Sequence, residues 1–422
     1  MYKKSIMVLL GDVRKGINLP MVQRLMVIVS GSLNSIIRKG ELTDRYYNPG
    51  EFFDEVHLVM TNNETVFPSD LQKTVGRAEL HVHNLPLSPR LFLRTLGYTP
   101  FFFDLWARLG IRLASQIRPN LIRCYGNTFN AFLAAEIKRA LGVPVVVSLH
   151  THAEESRRIA GLKWWSPTGF VSALRSYRHR TLERIALKTA DCVIAVCESY
   201  KKHALRYGAS RVEVIPNIVN PTHLHRKNSY VLHSPPRVIS VGRQIAGKNP
   251  INLIRAVKDL PLLLVLVGDG EVHEHLRKIA EDCGTQGKVT FLRAVANDEL
   301  CEMLSDFDIF AAHCSYSGIP KTVIEALLTG LPVVLNRERG ATPELDGDWV
   351  LTTDNTSHGY REALLALIEK HERRAALGRR GYEYAREHFT PAEVERRVVD
   401  LYREVMLRNK LNGTTESKPN AT

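Results

Sequence analysis

The chain has 422 residues, and its 57 Lys and Arg exceed its 44 Asp and Glu, which gives a formal charge of +13. Hydrophobic content of 44% and charged content of 24% are ordinary for a globular protein and exclude a disordered, collagen-like or coiled-coil chain. This length predicts two or three domains that fold without disulfides or a structural metal. The six cysteines show no CxxC spacing, so we predict a reduced, cytoplasmic compartment.

Short apolar runs alternate with longer amphipathic stretches through the first half of the chain. The first run, Ile6–Leu10, ends at Gly11 and is followed by no small-residue cleavage site, so we predict a buried strand rather than a signal peptide. No apolar stretch approaches the roughly 20 residues that span a bilayer. The alternation predicts parallel βα units covered on both faces. Further strands are predicted at Glu55–Met60, Glu79–His83, Leu121–Tyr125, Val145–His150, Cys192–Cys197 and Val212–Ile215, with helices at Asn130–Leu141 and Thr181–Ala190.

The same alternation restarts after a proline-rich, polar break. We therefore predict a first domain over residues 1–222, a linker over 223–236 and a second α/β domain over 237–390. A helix is predicted over 391–410, and the polar tail 411–422 is predicted to be disordered. The strands of the second domain are predicted at Val238–Val241, Leu262–Val267, Val289–Leu292, Ile309–Ala312 and Pro332–Leu335, and its helices include Asn252–Lys258, Val272–Cys283, Asp298–Ser305 and Thr322–Leu328.

Two such sheets bind ligands at the carboxyl ends of their strands, and a glycine-containing loop follows one of them. Gly242, Gly247 and Lys248 supply three of the four residues of the NTPase phosphate loop, but Asn249 replaces the Ser or Thr that holds Mg²⁺. An ATPase is therefore weakly indicated. Arg243 and Lys248 offer a fork and a point charge that clamp a diphosphate without a metal. The alternative is a pair of solvated loop cations.

A second turn, after the strand Ile309–Ala312, combines an anion site with a carboxylate. Gly318, Ile319, Lys321 and Thr322 lie at a predicted helix start, where backbone N–H groups favour phosphate. Glu325, about one turn into that helix, is placed to accept both hydroxyls of a ribose. These features together predict a nucleotide site.

The order of these motifs resembles the retaining GT-B glycosyltransferases of family 4. The resemblance rests on Gly-Arg-x₄-Lys, Gly268-Asp-Gly270, Gly-x-Pro-x₄-Glu-Ala and Gly-x-Pro-Val-Val in the second half. In the first half it rests on Thr181–Val196 followed by Val212–Asn217, and it covers roughly 117–402. It implies an α/β fold of two Rossmann-like domains facing across a cleft. It also implies that the C-terminal helix crosses back to the first domain.

The resemblance implies a role for each matching residue. Arg243 and Lys248 match the pair that neutralises the leaving diphosphate of a nucleotide-sugar donor, and Glu325 matches the glutamate that holds the ribose. The turn Gly318–Thr322, with Gly242, matches donor-binding backbone, and His150 matches a histidine that touches the donor sugar. Gly11 and Asn127 are weaker candidates for sugar or acceptor contacts. The acceptor implied is a glycan or a lipid-linked sugar, as in surface polysaccharide and glycoconjugate biosynthesis.

One position departs from the family pattern near the reacting centre. The first glutamate of Glu-x₇-Glu is Ser317 here, which keeps a hydrogen bond and loses a charge. Ile218 also stands where the family usually has glycine. The chain therefore uses another sugar, recruits another acid, or is a weakly active or inactive binding subunit. Ser317 remains a candidate catalytic residue.

Two histidine pairs suggest a metal site. His81 and His83, and His150 and His152, have i, i+2 spacing on or just after predicted strands. Neither pair has a third ligand nearby in the sequence, so zinc is not predicted. The resemblance likewise implies neither a metal nor another cofactor.

Basic residues concentrate between 157 and 188, with eight Lys or Arg against one acid. Lys163, Trp164, Trp165, Arg175 and Arg178 are predicted to face an anionic membrane surface, which makes the protein cytoplasmic and peripheral. The alternative is a solvated basic face. The aromatic run Phe101–Trp106 is instead predicted to be core. A nucleic-acid partner is rejected because the charge excess is local and the chain shows no nucleic-acid module.

Overall fold

A computed structural model describes residues 22–87, 100–151, 154, 155, 159, 179–219, 221–337 and 343–416. Within these residues, two parallel sheets follow each other along the chain, and helices pack against them.

The first sheet has seven strands in the order β3-β2-β1-β4-β5-β6-β7. All its pairings are parallel, as continuous apolar strands separated by helices require. Its strands are β1 Arg24–Val29, β2 Glu55–Met60, β3 Glu79–Asn84, β4 Leu121–Tyr125, β5 Val145–Leu149, β6 Cys192–Ala195 and β7 Val212–Val214. The helices of this half are α1 Leu33–Arg38, α2 Pro68–Leu71, α3 Pro100–Ile117, α4 Phe129–Leu141, α5 over 179–189 and α6 Glu198–Arg206.

The second sheet has six parallel strands in the order β10-β9-β8-β11-β12-β13. Its strands are β8 Arg237–Val241, β9 Leu263–Val267, β10 Val289–Leu292, β11 Ile309–Ala312, β12 Val333–Asn336 and β13 Leu351–Thr353. Its helices are α7 Ile251–Ala256, α8 His273–Asp282, α9 Asn297–Met303, α10 Lys321–Thr329, α11 Ser357–Glu369 and α12 His371–His388, and α13 Pro391–Glu416 is the last described element. In both sheets the strand order reverses beside the first strand of that half (β1 or β8), where α/β folds form their binding crevice.

Helix α13 crosses back to the first half of the molecule, as the resemblance implies. Val394, Val398 and Tyr402 pack into the core beneath the first sheet. The buried Glu395 carboxylate accepts hydrogen bonds from Arg45 Nε and from the Gly50 backbone N–H, both at 3.1 Å. The chain thus passes between the two halves twice, through the 223–236 segment and at this helix.

The structure differs from the sequence analysis in three places, and one further prediction lies outside the described residues. The sequence analysis did not identify the strand Arg24–Val29, which pairs with both β2 and β4, and Ile6–Leu10 lies outside the described residues. The short edge strand β13 was also missed. The tail prediction is wrong for 411–416, which continue α13, because helix growth by one residue costs far less than helix nucleation.

The aromatic run at the start of α3 is described only in part. Trp106 is buried as predicted, and its indole N–H donates to the Leu85 carbonyl at 3.2 Å. Leu105, in contrast, is 51% exposed. Among the described helices, none combines the length and the apolar character needed to cross a bilayer.

Candidate active site

The loop after β8 carries the two predicted phosphate-binding cations. Gly268 and Gly270 bring the end of β9 against this loop, and a Cβ on Gly268 would lie 2.0 Å from the Gly242 carbonyl oxygen. Arg243 is exposed, whereas Lys248 closes a 3₁₀ turn and is partly buried. Burial lowers the pKa of the Lys248 ammonium, and the neighbouring Arg243 cation lowers it further. The two cations therefore lie close together on one rigid loop.

Buried polar side chains fix the shape of this loop. The Gln244 amide donates to the Gly268 carbonyl at 2.9 Å, and its oxygen lies 2.6 Å from His273 Nδ1. Further along, the Asn249 backbone N–H donates to His313 Nδ1 at 2.9 Å. The position of Lys248 is therefore set by bonds on both sides of it, which is the preorganisation that an anion site needs.

The start of α10 forms the second part of the predicted donor site. Its first N–H groups have no acceptor within the helix, and the Thr322 hydroxyl donates to the Val241 carbonyl at 3.2 Å, which ties this turn to β8. Glu325 is 4% exposed, and its Oε1 accepts from Asn297 Nδ2 at 3.0 Å. Its Oε2 is buried and has no hydrogen-bond partner among the described residues. Burial raises the pKa of Glu325. The hydrogen bond from Asn297 and the nearby Lys321 act to lower it.

The two halves of the molecule meet around Glu325 in a cleft of about 540 Å³. Burial lowers the pKa of Lys321, and the Glu325 and Glu41 carboxylates oppose that shift. Glu41, from the loop after α1, also acts to raise the pKa of Lys248 and that of Glu325, so it lies near both predicted subsites. The sequence analysis missed Glu41 because no motif surrounds it.

His150, directly after β5, lines a neighbouring cavity that shares Ile218 with this cleft. Burial lowers the pKa of its imidazole to about 4, with further lowering by the Arg123 and Lys321 cations, while a hydrogen bond with Asn217 opposes the shift. The imidazole is therefore neutral at pH 7. Lys321 belongs to the second half, so the predicted His150 and the predicted α10 turn are brought together.

Ser317 is joined to a carboxylate that the sequence analysis did not identify. Its backbone N–H and its hydroxyl both donate to Glu155 Oε1, at 2.8 and 2.6 Å. The Tyr200 hydroxyl donates to the other oxygen of this carboxylate at 2.5 Å, and Glu155 is only 3% exposed. A carboxyl group is thus present beside the serine that replaces the glutamate of the family pattern.

The remaining predicted site residues lie apart from this cluster or outside the described chain. The Asn127 amide donates to the Thr151 carbonyl at 3.1 Å and to Glu183 at 2.6 Å, so its Nδ2 is held within the first half. Gly318 and Ile319 lie in the turn before α10, with Gly318 facing Val196. Outside the described residues are Gly11, Lys163, Trp164, Trp165, Arg175 and Arg178, whose roles stay predictions.

Two family models match consecutive parts of the chain. Residues 54–223 match Glycosyltransferase Family 4, and residues 223–384 match Glycosyl transferases group 1. The chain belongs to the family 4 glycosyltransferases. This glycosyltransferase has the two-sheet GT-B fold that the resemblance implied.

Curated relatives match this glycosyltransferase over part of their length. It is 29% identical over 220 residues to a lipopolysaccharide core biosynthesis glycosyltransferase of Rhizobium meliloti (strain 1021). This match covers 49% of this chain and 64% of that protein. It is 29% identical over 172 residues to a GDP-mannose-dependent alpha-(1-6)-phosphatidylinositol monomannoside mannosyltransferase of Mycobacterium tuberculosis (strain CDC 1551 / Oshkosh), over 37% of this chain and 45% of that protein. The chain thus spans about half to two thirds of the length of these relatives.

A solved structure extends the likeness to nearly the whole chain. Sucrose-phosphate synthase from Thermosynechococcus elongatus superposes with a TM-score of 0.69 over 92% of this chain and all of that one, at 17% identity. At this identity the likeness concerns the fold.

Proposed function

We propose that this protein is a retaining glycosyltransferase that moves a sugar from a nucleotide-sugar donor to a glycan or lipid-linked acceptor in surface polysaccharide or glycoconjugate biosynthesis. The observation that carries the proposal is the buried Glu325 carboxylate, whose Oε2 lacks a partner where it lines the cleft. A buried acceptor without a donor is costly, and a ribose hydroxyl supplies that donor. Arg243 and Lys248 stand on the adjacent strand end, where the diphosphate of the same nucleotide would lie.

In this proposal, the two cations of the loop after β8 lower the activation barrier of the transfer. Breaking the bond between the anomeric carbon and the diphosphate leaves negative charge on the departing oxygen. Arg243 and Lys248 stabilise that charge more than they stabilise the intact donor, so they lower the barrier. Two fixed cations neutralise the charge of the diphosphate, a role that a divalent metal ion has in other enzymes. We therefore propose that the reaction needs no metal or other cofactor.

The first half of the molecule receives the acceptor. The acceptor hydroxyl forms the new bond to the anomeric carbon on the face that the diphosphate leaves, and its proton passes to the departing phosphate oxygen. His150 is neutral at pH 7 and contacts the donor sugar as a hydrogen-bonding group rather than as a cation. Glu155 supplies a carboxylate at Ser317, which supports an active enzyme over an inactive binding subunit.

The relatives support the acceptor class. One is named for lipopolysaccharide core biosynthesis and another for adding mannose to a phosphatidylinositol mannoside. Both acceptors are glycans attached to lipids. We propose that this protein works at the cytoplasmic face of a membrane, held there by the basic residues between 157 and 188.

A thermal-shift panel of UDP-, GDP- and ADP-sugars tests the donor site. One donor raises the Tm of the wild type, and the rise is lost in Glu325→Ala and Arg243→Ala. Glu302→Ala is the matched control, because Glu302 is an exposed glutamate on the neighbouring α9. No rise with any donor, or an equal rise in all variants, contradicts the proposal.

A further inference from the structure

Arg123 is a buried cation without a counter-charge. It lies in β4, in the centre of the first sheet, and is 5% exposed. Its Nε and Nη1 have no hydrogen-bond partner, and no carboxylate among the described residues forms an ion pair with it. Taking a charge out of water costs several kcal/mol unless an opposite charge or a set of hydrogen bonds compensates it. Within the described residues, the fold therefore leaves two nitrogens of a buried guanidinium, Nε and Nη1, without an acceptor.

Aromatic rings lie beside this guanidinium, and its Nε and Nη1 still have no acceptor among the described residues. Arg123 Cζ lies 5.2 Å from the ring centroid of Tyr125 and 5.7 Å from that of Tyr402. Ring faces attract a buried cation by about 2 kcal/mol or more, but a ring face accepts none of the forked N–H bonds. The guanidinium matches the geometry of a phosphate or a carboxylate, which binds two of its N–H groups at once.

A cavity of about 400 Å³ opens beside Arg123, which we name the Arg123 pocket. It is lined by Tyr46, Arg123, Tyr125, His150, Val394 and Val398 among others. The pocket reaches His150, and Lys321 Nζ lies 5.7 Å from the ring centroid of Tyr46. A ligand in the pocket would therefore extend from the core of the first half toward the proposed site of sugar transfer.

The charges that face the pocket have one sign. Arg123 and Lys321 both lower the pKa of His150, the effect of positive charge on an imidazole. Val394 and Val398 give the side formed by α13 an apolar surface. The pocket therefore offers a ligand an apolar side and one charged end.

We propose that the Arg123 pocket binds an oxyanion of the acceptor, a phosphate or a carboxylate carried by the sugar or lipid that receives the transferred residue. This inference rests on the proposed glycosyl transfer and names the acceptor chemistry. A neutral acceptor would leave the guanidinium unpaired in the complex. The donor diphosphate is a separate anion, because its proposed cations belong to the loop after β8 in the second half.

The test separates this pocket from the donor site. In an Arg243→Ala/Lys248→Ala background, inorganic phosphate and glucose 6-phosphate at millimolar concentration raise the Tm by about 2 °C, and glucose does not. Adding Arg123→Met abolishes that rise. In the otherwise wild-type chain, Arg123→Met leaves the Tm rise with the nucleotide-sugar donor unchanged.

The unliganded Tm of Arg123→Met supplies a second readout. Removing an unpaired buried charge does not lower the Tm, whereas removing a guanidinium that serves the core through its ring contacts lowers it by several degrees. A lowered Tm, or a phosphate response that persists in Arg123→Met, overturns the inference. If the proposed function itself is wrong, no nucleotide-sugar raises the Tm of the wild type, and that result does not depend on Arg123.

Discussion

The Glu155 carboxylate accepts two hydrogen bonds from Ser317, one from its backbone N–H and one from its hydroxyl. The two residues lie 162 positions apart in the sequence and in different halves of the molecule. Their bonds therefore join the two halves and place a carboxyl group beside the turn that precedes α10. We propose that Ser317 and Glu155 together do what the family pattern assigns to one glutamate.

We expect Glu155→Gln to lower kcat by about 10- to 100-fold with a small change in the Tm, because it removes the charge and keeps the shape. Ser317→Ala removes one of the two bonds and leaves the backbone N–H, so its effect is smaller. Steady-state kinetics with the donor found by thermal shift measures both.

A double-mutant cycle sharpens this prediction. Ser317→Glu alone sets two carboxylates against each other and lowers activity. Combined with Glu155→Ser it returns the charge to position 317, and activity recovers above that of Glu155→Ser alone. Additive losses in the double variant would show that the two residues do not act as a pair.

Gly268→Ala is expected to displace the phosphate-binding loop. The added Cβ would lie 2.0 Å from the Gly242 carbonyl oxygen, at a φ of +139° that favours glycine. We expect a loss of at least about 2 kcal/mol of stability and a several-fold weaker response to the donor. Gly284→Ala is the matched control, because Gly284 also has a positive φ, +68°, but nothing lies within 4 Å of the added Cβ. Equal donor responses in the two variants would separate Gly268 from the site.

The sequence predicted the sheets better than it predicted the site. β2 and β4 have the predicted bounds, because mostly apolar runs mark strands that are buried on both faces. The edge strand β10 also has its predicted bounds, although it is only partly buried. β1 was missed since Ile6–Leu10 is an equally apolar run that ends at a glycine. β13 was missed because it has three half-buried residues at a sheet edge.

Most of the predicted donor-site residues lie in recognisable motifs that follow strands. Arg243, Lys248 and Glu325 are examples: local sequence is enough to propose them, and their roles stay predictions. Glu155 and Glu41 were missed because the residues near them lie far along the chain. Arg123 was missed because a buried nitrogen without an acceptor leaves no pattern in the sequence. Spacing in a sequence cannot report a contact across a cleft.

A cluster of three histidines on β2 and β3 predicts a loss of stability in mild acid. Burial, helped by His81 and His83, lowers the pKa of His57 to about 4, and its Nδ1 lies 3.1 Å from His83 Nε2. Between that value and about 6.5 the unfolded chain binds a proton that the folded chain does not, so stability falls as the pH falls through this window. His57 alone contributes about 2 kcal/mol to the loss between pH 7.5 and 5.

Urea unfolding at the two pH values measures this effect. His57→Leu reduces the loss by about 2 kcal/mol, and His275→Leu, at an exposed position on α8, does not change it. An identical pH dependence in wild type and His57→Leu would mean that His57 is protonated in the folded chain.

Glu395 is expected to hold helix α13 against the first half. Its 7% exposed carboxylate accepts from Arg45 and from the Gly50 backbone, so Glu395→Ala removes two hydrogen bonds of about 1 kcal/mol each and costs about 2 kcal/mol. Glu393→Ala on the same helix is the matched control, since Glu393 pairs only with exposed Arg396 one turn on, and its Tm stays at the wild-type value. Because Val394 and Val398 line the Arg123 pocket, Glu395→Ala also weakens phosphate binding there. Equal Tm values for the two variants would mean that α13 is held by its apolar contacts alone.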